Sequence, residues 1–124
     1  MSQWTQEELD RINGDEWFHL SAALPDGSTP KTVDIWSVGV GDRIFVRSYN
    51  GTAGKWYSLA LESGKGRISA GAVTKNVSFV KVDDEEAKKL VDTAYRTKYA
   101  HSKWGGAMAD DPVRDNTIEV VSAE

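Results

Sequence analysis

The spacing of apolar residues alternates between a helical three-to-four and a strand-like two, and the switches divide the chain into elements. Thr5 followed by Glu8 has the form of a capping box, and Trp4 and Leu9 occupy the positions of a hydrophobic staple, so a helix is predicted over Gln6 to Asn13. Gly14 ends it. From Glu16 to Leu24, Trp17, His19 and Ser21 alternate with Phe18, Leu20 and Ala22, which predicts a strand closed by the turn residues Pro25-Asp26-Gly27. Gly41-Asp42 then separates two runs rich in Val, Ile, Phe and Trp, and a glycine at the first central position suits a type II′ hairpin turn.

That turn sets a register in which Val40 faces Arg43, Val38 faces Phe45, Trp36 faces Arg47 and Asp34 faces Tyr49. One face would carry Trp36 and Arg47, and the other Ile35, Ser37, Ile44, Val46 and Ser48. Beyond a loop bearing Gly51 and Gly54, strands are predicted over Lys55 to Glu62, Gly66 to Gly71 and Asn76 to Val82. Asp83 or Asp84 can cap a second helix, in which Ala87, Leu90, Val91, Ala94 and Tyr95 recur at helical spacing to about Tyr99. Gly105-Gly106 breaks that pattern, and Thr117 to Val121 reads as a last strand that needs a partner in the main sheet or another chain. About six strands with two peripheral helices predict a small antiparallel barrel of the α+β kind, a single domain over residues 1–124.

Composition removes several chemistries. The chain has no cysteine, which excludes disulfides, thiolate nucleophiles and thiolate metal sites and fits a reducing cytoplasm. No apolar run approaches membrane-spanning length, and the start MSQWTQEELD is unlike a secretory signal, so a cytoplasmic, membrane-free protein is expected. His19 and His101 lie far apart without a second ligand at metal-binding spacing, and Ser48 has no nucleophile-elbow context. The acidic run Asp83 to Glu86 lacks the glycine and alternation of a calcium loop and suits a helix N-terminus.

Charge is distributed unevenly within the net −4. Residues 1–30 sum to −5, residues 31–81 to +5 and residues 82–124 to −4, so the strand-rich centre is a cationic island. Strands also carry Lys and Arg to deter edge pairing, and Arg67 and Lys75 fit that ordinary role. Trp36 and Trp56 are in the first instance core or interface aromatics. Arg47, opposite Trp36, can make a cation–π contact or meet an anion.

The order Ile35-Trp36-Ser37-Val38, turn at Gly41-Asp42, Val46-Arg47-Ser48, glycine-bearing loop and Lys55-Trp56-Tyr57-Ser58-Leu59 resembles the flavin-binding split-barrel superfamily, in particular its deazaflavin-dependent nitroreductase-like branch. Gly66-Arg67-Ile68 and Ala94-Tyr95-Arg96-Thr97-Lys98-Tyr99 resemble an uncharacterised bacterial family of that superfamily, over roughly residues 4–121. The resemblance implies a six-stranded split barrel, often a homodimer, that holds FMN or a deazaflavin (F420) phosphate. It places Arg47, Ser48, Lys55 and Trp56 toward the phosphate and Trp36, Ser37 and Val38 near the ring. Arg, hydroxyl and indole groups are suitable types for those tasks. Where the active deazaflavin enzymes commonly carry Asn-Leu, this chain has Ser58-Leu59, and the segment before its hairpin is short.

The leading expectation is therefore a flavin- or deazaflavin-binding protein with an anionic small-molecule cofactor. The alternative is a non-enzymatic binding or dimerisation module without the cofactor, in which Trp36 and Arg47 are buried against each other or a second subunit. A basic sheet with aromatics also suits single-stranded nucleic acid, but the acidic flanks oppose it, so no nucleic-acid partner is expected.

Overall fold

The computed structural model describes residues 4–15, 17–23, 32–48, 55–100, 109 and 113–122. Helix α1 (Gln6–Asn13) opens with the full capping box: Glu8 N–H donates to Thr5 Oγ1, and Thr5 N–H donates to Glu8 Oε1. Trp4, Leu9 and Ile12 are buried by it against the barrel interior. Strands β1 (Phe18–Ala22), β2 (Val33–Ile35), β3 (Ser37–Val40) and β4 (Arg43–Arg47) precede helix α2 (Lys55–Ser63). Strands β5 (Lys65–Ala70) and β6 (Val73–Lys81), helix α3 (Glu85–Lys98), a 3₁₀ turn (Val113–Asn116) and β7 (Thr117–Ser122) complete the chain. The predicted turn at Pro25-Asp26-Gly27, the loop 49–54, the Tyr49 pairing and the break at Gly105-Gly106 lie outside the described residues.

The seven strands of the described residues form one antiparallel sheet in the order β2-β1-β5-β6-β7-β4-β3. Its two edges, β2 and β3, are neighbours in sequence and are separated only by Trp36. The strand predicted to run unbroken through Trp36 instead changes partners there, pairing with β1 before it and β4 after it. This brings the ends of the sheet together as a nearly closed barrel of the α+β split-barrel kind and makes the strand count seven rather than six. Asp34 accordingly lies opposite His19 of β1.

The hairpin register is otherwise as the turn chemistry predicts, with Val40 opposite Arg43 and Val38 opposite Phe45, and Gly41 takes φ +61°. Ile44 and Val46 enter the barrel core with Phe18, Leu20, Ile68, Val77, Ile118 and Val120. Val38 and Phe45 face outward, where α3 covers them with Val91, Tyr95 and Tyr99. Asp84 caps α3, its carboxylate accepting from Glu86 and Ala87 N–H.

Lys55 to Glu62 is a correction: the segment is helical. Its aromatic content suggests a strand, but Tyr57 and Ala60, one helical turn apart, both enter the barrel core, and Trp56 and Leu59 pack beside them at the same spacing. Gly64, at φ +68°, ends the helix and donates its N–H to Ala60 C=O.

The β5–β6 turn is tied to α1. Gly71 N–H donates to Asp15 Oδ2, and a Cβ on Gly71 would overlap the Arg11 carbonyl. Ala72 beside it holds φ +67°, a conformation that costs an L-residue about 1–2 kcal/mol. Ala72→Gly should therefore raise stability by up to about 1 kcal/mol, less than the strain relieved because glycine adds chain entropy to the unfolded state. Gly71→Ala should cost more than about 2 kcal/mol, and urea denaturation measures both.

Acid should also loosen α1. The backbone N–H of Thr5 holds the Glu8 carboxyl below its ordinary value of 4.5, and the N–H groups of Gly71 and Trp17 hold Asp15 below 3.8. Because both folded values are depressed, their stabilisation is present above the ordinary values and is lost as pH falls through the folded ones. Thermal melts of Glu8→Gln and Asp15→Asn should lie below wild type at pH 7 and converge on it once acid has protonated both carboxyls.

Candidate functional site

Helix α3 gathers three of the six sequence-predicted site residues, Trp36, Ser37 and Arg47, at one outer wall of the barrel. Its buried face carries Lys88, Asp92, Tyr95 and Tyr99, at three- and four-residue spacing. Tyr99 stacks on Trp36 with ring centroids 4.0 Å apart and planes inclined by 7°. Tyr95 lies 5.9 Å from Tyr99, and the Arg47 guanidinium sits 5.6 Å from the Tyr95 centroid. Trp36 and Arg47 thus both face α3, but the predicted pairing of the two does not form: the ladder ends with Ser37 opposite Val46, and two tyrosines stand between them.

The main chain at the strand break is held by the same helix. Tyr95 Oη donates to Trp36 C=O at 2.8 Å, while Tyr99 Oη and Lys98 Nζ donate to Ser37 C=O at 3.1 and 2.9 Å. Burial pushes the Tyr95 phenol far above its ordinary value, so it remains a donor across the physiological range. Trp36 Nε1 is buried and has no hydrogen-bond partner among the described residues.

Arg47 is 1% exposed and is occupied on all sides. Its Nε donates to Thr117 Oγ1 at 2.9 Å, its Nη2 to Lys88 C=O at 3.0 Å, and its Nη1 lies 2.7 Å from Asp92 Oδ1. That last approach is Coulombic contact without hydrogen-bond alignment, since Asp92 Oδ1 has no hydrogen-bond partner. The other Asp92 oxygen accepts from Arg114 Nε at 2.6 Å, and Arg114 also bonds Glu85. Both carboxylates hold the Arg114 guanidinium above its ordinary value, Glu85 more than Asp92.

The other predicted residues stand apart from this array. Ser48, buried after the end of β4, donates its N–H to Asn116 C=O at 3.3 Å and accepts Asn116 Nδ2 at its own carbonyl. Lys55 opens α2, and its side chain is outside the described set. Trp56 is half-buried, edge-on to Tyr57 at 5.8 Å, and packs on the barrel core. Sequence reasoning missed Asp92 and Arg114; the signal for Asp92 was its helical spacing from Lys88 and Tyr95, whereas nothing local marks Arg114 as its partner.

This geometry belongs to a split-barrel protein. The chain belongs to the bacterial family described as uncharacterized protein conserved in bacteria (DUF2255), matched over residues 8–120. Among solved structures it is similar to the conserved hypothetical protein Rv2991 from Mycobacterium tuberculosis, at 15% identity and TM-score 0.67, over all of this chain and 82% of that one. A candidate 5-nitroimidazole antibiotic resistance protein from Bacteroides thetaiotaomicron matches at 11% identity and TM-score 0.66, over 100% and 83% of the two chains. An F420 reductase matches at 12% identity and TM-score 0.56, over 91% and 90%. These likenesses establish the fold. Among curated proteins, none matches this sequence. No helix of the described residues is long and apolar enough to cross a membrane, and no group of metal-ligating side chains occurs among them.

The Arg47–Asp92 pair has a measurable consequence. Asp92→Ala leaves a buried guanidinium without its carboxylate and should cost about 3–5 kcal/mol in urea denaturation. The double replacement Arg47→Met with Asp92→Leu should lose clearly less, because it removes both charges from the interior.

Proposed function

We propose that this protein binds a flavin-type cofactor, FMN or a deazaflavin, as a cytoplasmic split-barrel homodimer. The observation that carries the reading is the whole-chain correspondence of its barrel with an F420 reductase, over 91% of this chain and 90% of that one. The buried, unpartnered Nε1 of Trp36 adds to it, because a carbonyl on the edge of a flat ring would satisfy that donor. Such a ring, when bound, supplies hydride chemistry, and the protein supplies orientation and access.

Within this reading the six sequence-predicted residues divide their work. Ser48, Lys55 and Trp56 flank the segment containing Gly51 and Gly54, a setting that offers a hydroxyl, an ammonium and an indole to a phosphate-bearing ligand. Trp36 and the main chain of Ser37 form the ring-side wall, held by Tyr95 and Tyr99. Arg47 braces that wall, since Asp92 already answers its charge. The homodimer is what the resemblance to split-barrel proteins implies.

A second reading has its own observation. Stacking of Trp36 on Tyr99 and the pairing of Arg47 with Asp92 use these side chains for the fold, as expected of a binding or dimerisation module that has no cofactor.

Tryptophan fluorescence titration with FMN, FAD and a deazaflavin cofactor, with heme as a control, separates the two. The cofactor reading expects quenching at tens of micromolar, weakened about tenfold in Lys55→Ala and in Trp56→Ala. Absence of quenching by every flavin in that range would assign the protein to the module reading. Light scattering should return twice the chain mass for the homodimer.

A further inference from the structure

A groove of about 440 Å³ runs between α3 and the outer edge of β3, beside the Trp36–Ser37 segment. One stripe of α3, formed by Leu90, Thr93, Ala94, Thr97 and Lys98, makes one wall. Val38, Gly39 and Val40 make the floor, and Asn13 at the end of α1 closes the far side. Leu90 is 57% exposed although it lines this groove, the most exposed large apolar side chain among the described residues.

The register determines where the main chain of β3 points. Val40 and Arg43 flank a two-residue turn and form a hydrogen-bonded pair, so the alternation of an antiparallel ladder makes Val38 with Phe45 the next such pair. Ser37 and Gly39 therefore turn their N–H and C=O groups away from β4. Ser37 conforms, since its carbonyl is the one taken by Lys98 and Tyr99. Gly39 directs the same groups into the groove, where β3 is an outer strand of the sheet, and no described residue hydrogen-bonds them. The Asn13 amide lies against Gly39, in the space a Cβ would need, and its Oδ1 is buried without a hydrogen-bond partner among the described residues.

We propose that the edge of β3 and this groove dock an extended peptide of a partner protein, which adds to β3 as a further strand. A main-chain donor and acceptor on one edge residue that no described residue pairs specify extended backbone in the occupant. The peptide residue opposite Gly39 exchanges both main-chain hydrogen bonds with it and directs its side chain over Asn13, whose Oδ1 calls for a hydroxyl or amide donor. The residues on either side of it point to the opposite face, toward Leu90, Ala94, Val38 and Val40, and are therefore apolar. The recognised pattern is apolar, Ser or Thr, apolar. A groove of 440 Å³ has room for such a short segment.

The test titrates the peptide acetyl-Ala-Val-Thr-Val-Ala-amide into the ¹⁵N-labelled full chain and follows amide resonances by NMR. Saturable shifts are expected at Gly39, Leu90, Ala94 and the Asn13 side-chain amide, with a dissociation constant near or below about 1 mM. N-methylation of the peptide's threonine removes the donor to Gly39 C=O and should abolish those shifts. Leu90→Glu, on an exposed position that leaves the fold intact, should weaken binding about tenfold or more. No shifts at millimolar peptide, equal binding of the methylated peptide, or unchanged affinity of Leu90→Glu would each overturn the proposal.

Discussion

The attachment of α3 to the strand that breaks at Trp36 is the constraint on which the remaining structure depends. A strand that leaves one edge of a sheet and joins the other cannot keep its regular ladder at the crossing, and the carbonyls there need other donors. Tyr95, Tyr99 and Lys98 provide them to Trp36 and Ser37. An unpaired buried carbonyl would cost about 1–3 kcal/mol, a large share of the stability of a domain this size. Barrel closure and helix docking are therefore one event, and the stack from Trp36 through Tyr99 and Tyr95 to Arg47 is its packed interior.

Burying Arg47 in that interior has an electrostatic condition. A guanidinium removed from water needs a carboxylate and enough acceptors, and α3 delivers the carboxylate of Asp92 and the Lys88 carbonyl while β7 delivers Thr117. Arg114 then shares Asp92 with Arg47, which joins the 3₁₀ turn before β7 to the same helix. The Arg47 charge is thus already neutralised. An anionic ligand at the proposed site would therefore draw on other cations.

Where each element lies was largely legible from local chemistry. The capping box of α1, the Asp84 cap of α3 and the Gly41-Asp42 turn are each determined within a few residues, and the structure has them where the spacing predicts. Lys55 to Ser63 misled for an equally physical reason. Aromatic residues favour strands in isolation, whereas the burial of Tyr57 and Ala60 one helical turn apart selects the helix. The break at Trp36 had no local signal, because tryptophan is at home in a strand and only the two competing sheet edges demand the change of partner.

By itself the sequence determined the composition of the candidate site: which side chains are present, that Trp36 and Arg47 share a face, and that no thiol takes part. Local spacing carries that much because hairpin parity and helix period are properties of the backbone. Only the tertiary structure decided what each group faces. Asp92 lies 45 residues beyond Arg47 and Arg114 a further 22, and no periodicity links them. Their meeting follows from α3 crossing the outside of β3 and β4, and it turns the most anion-suited residue of the hairpin into a buried brace.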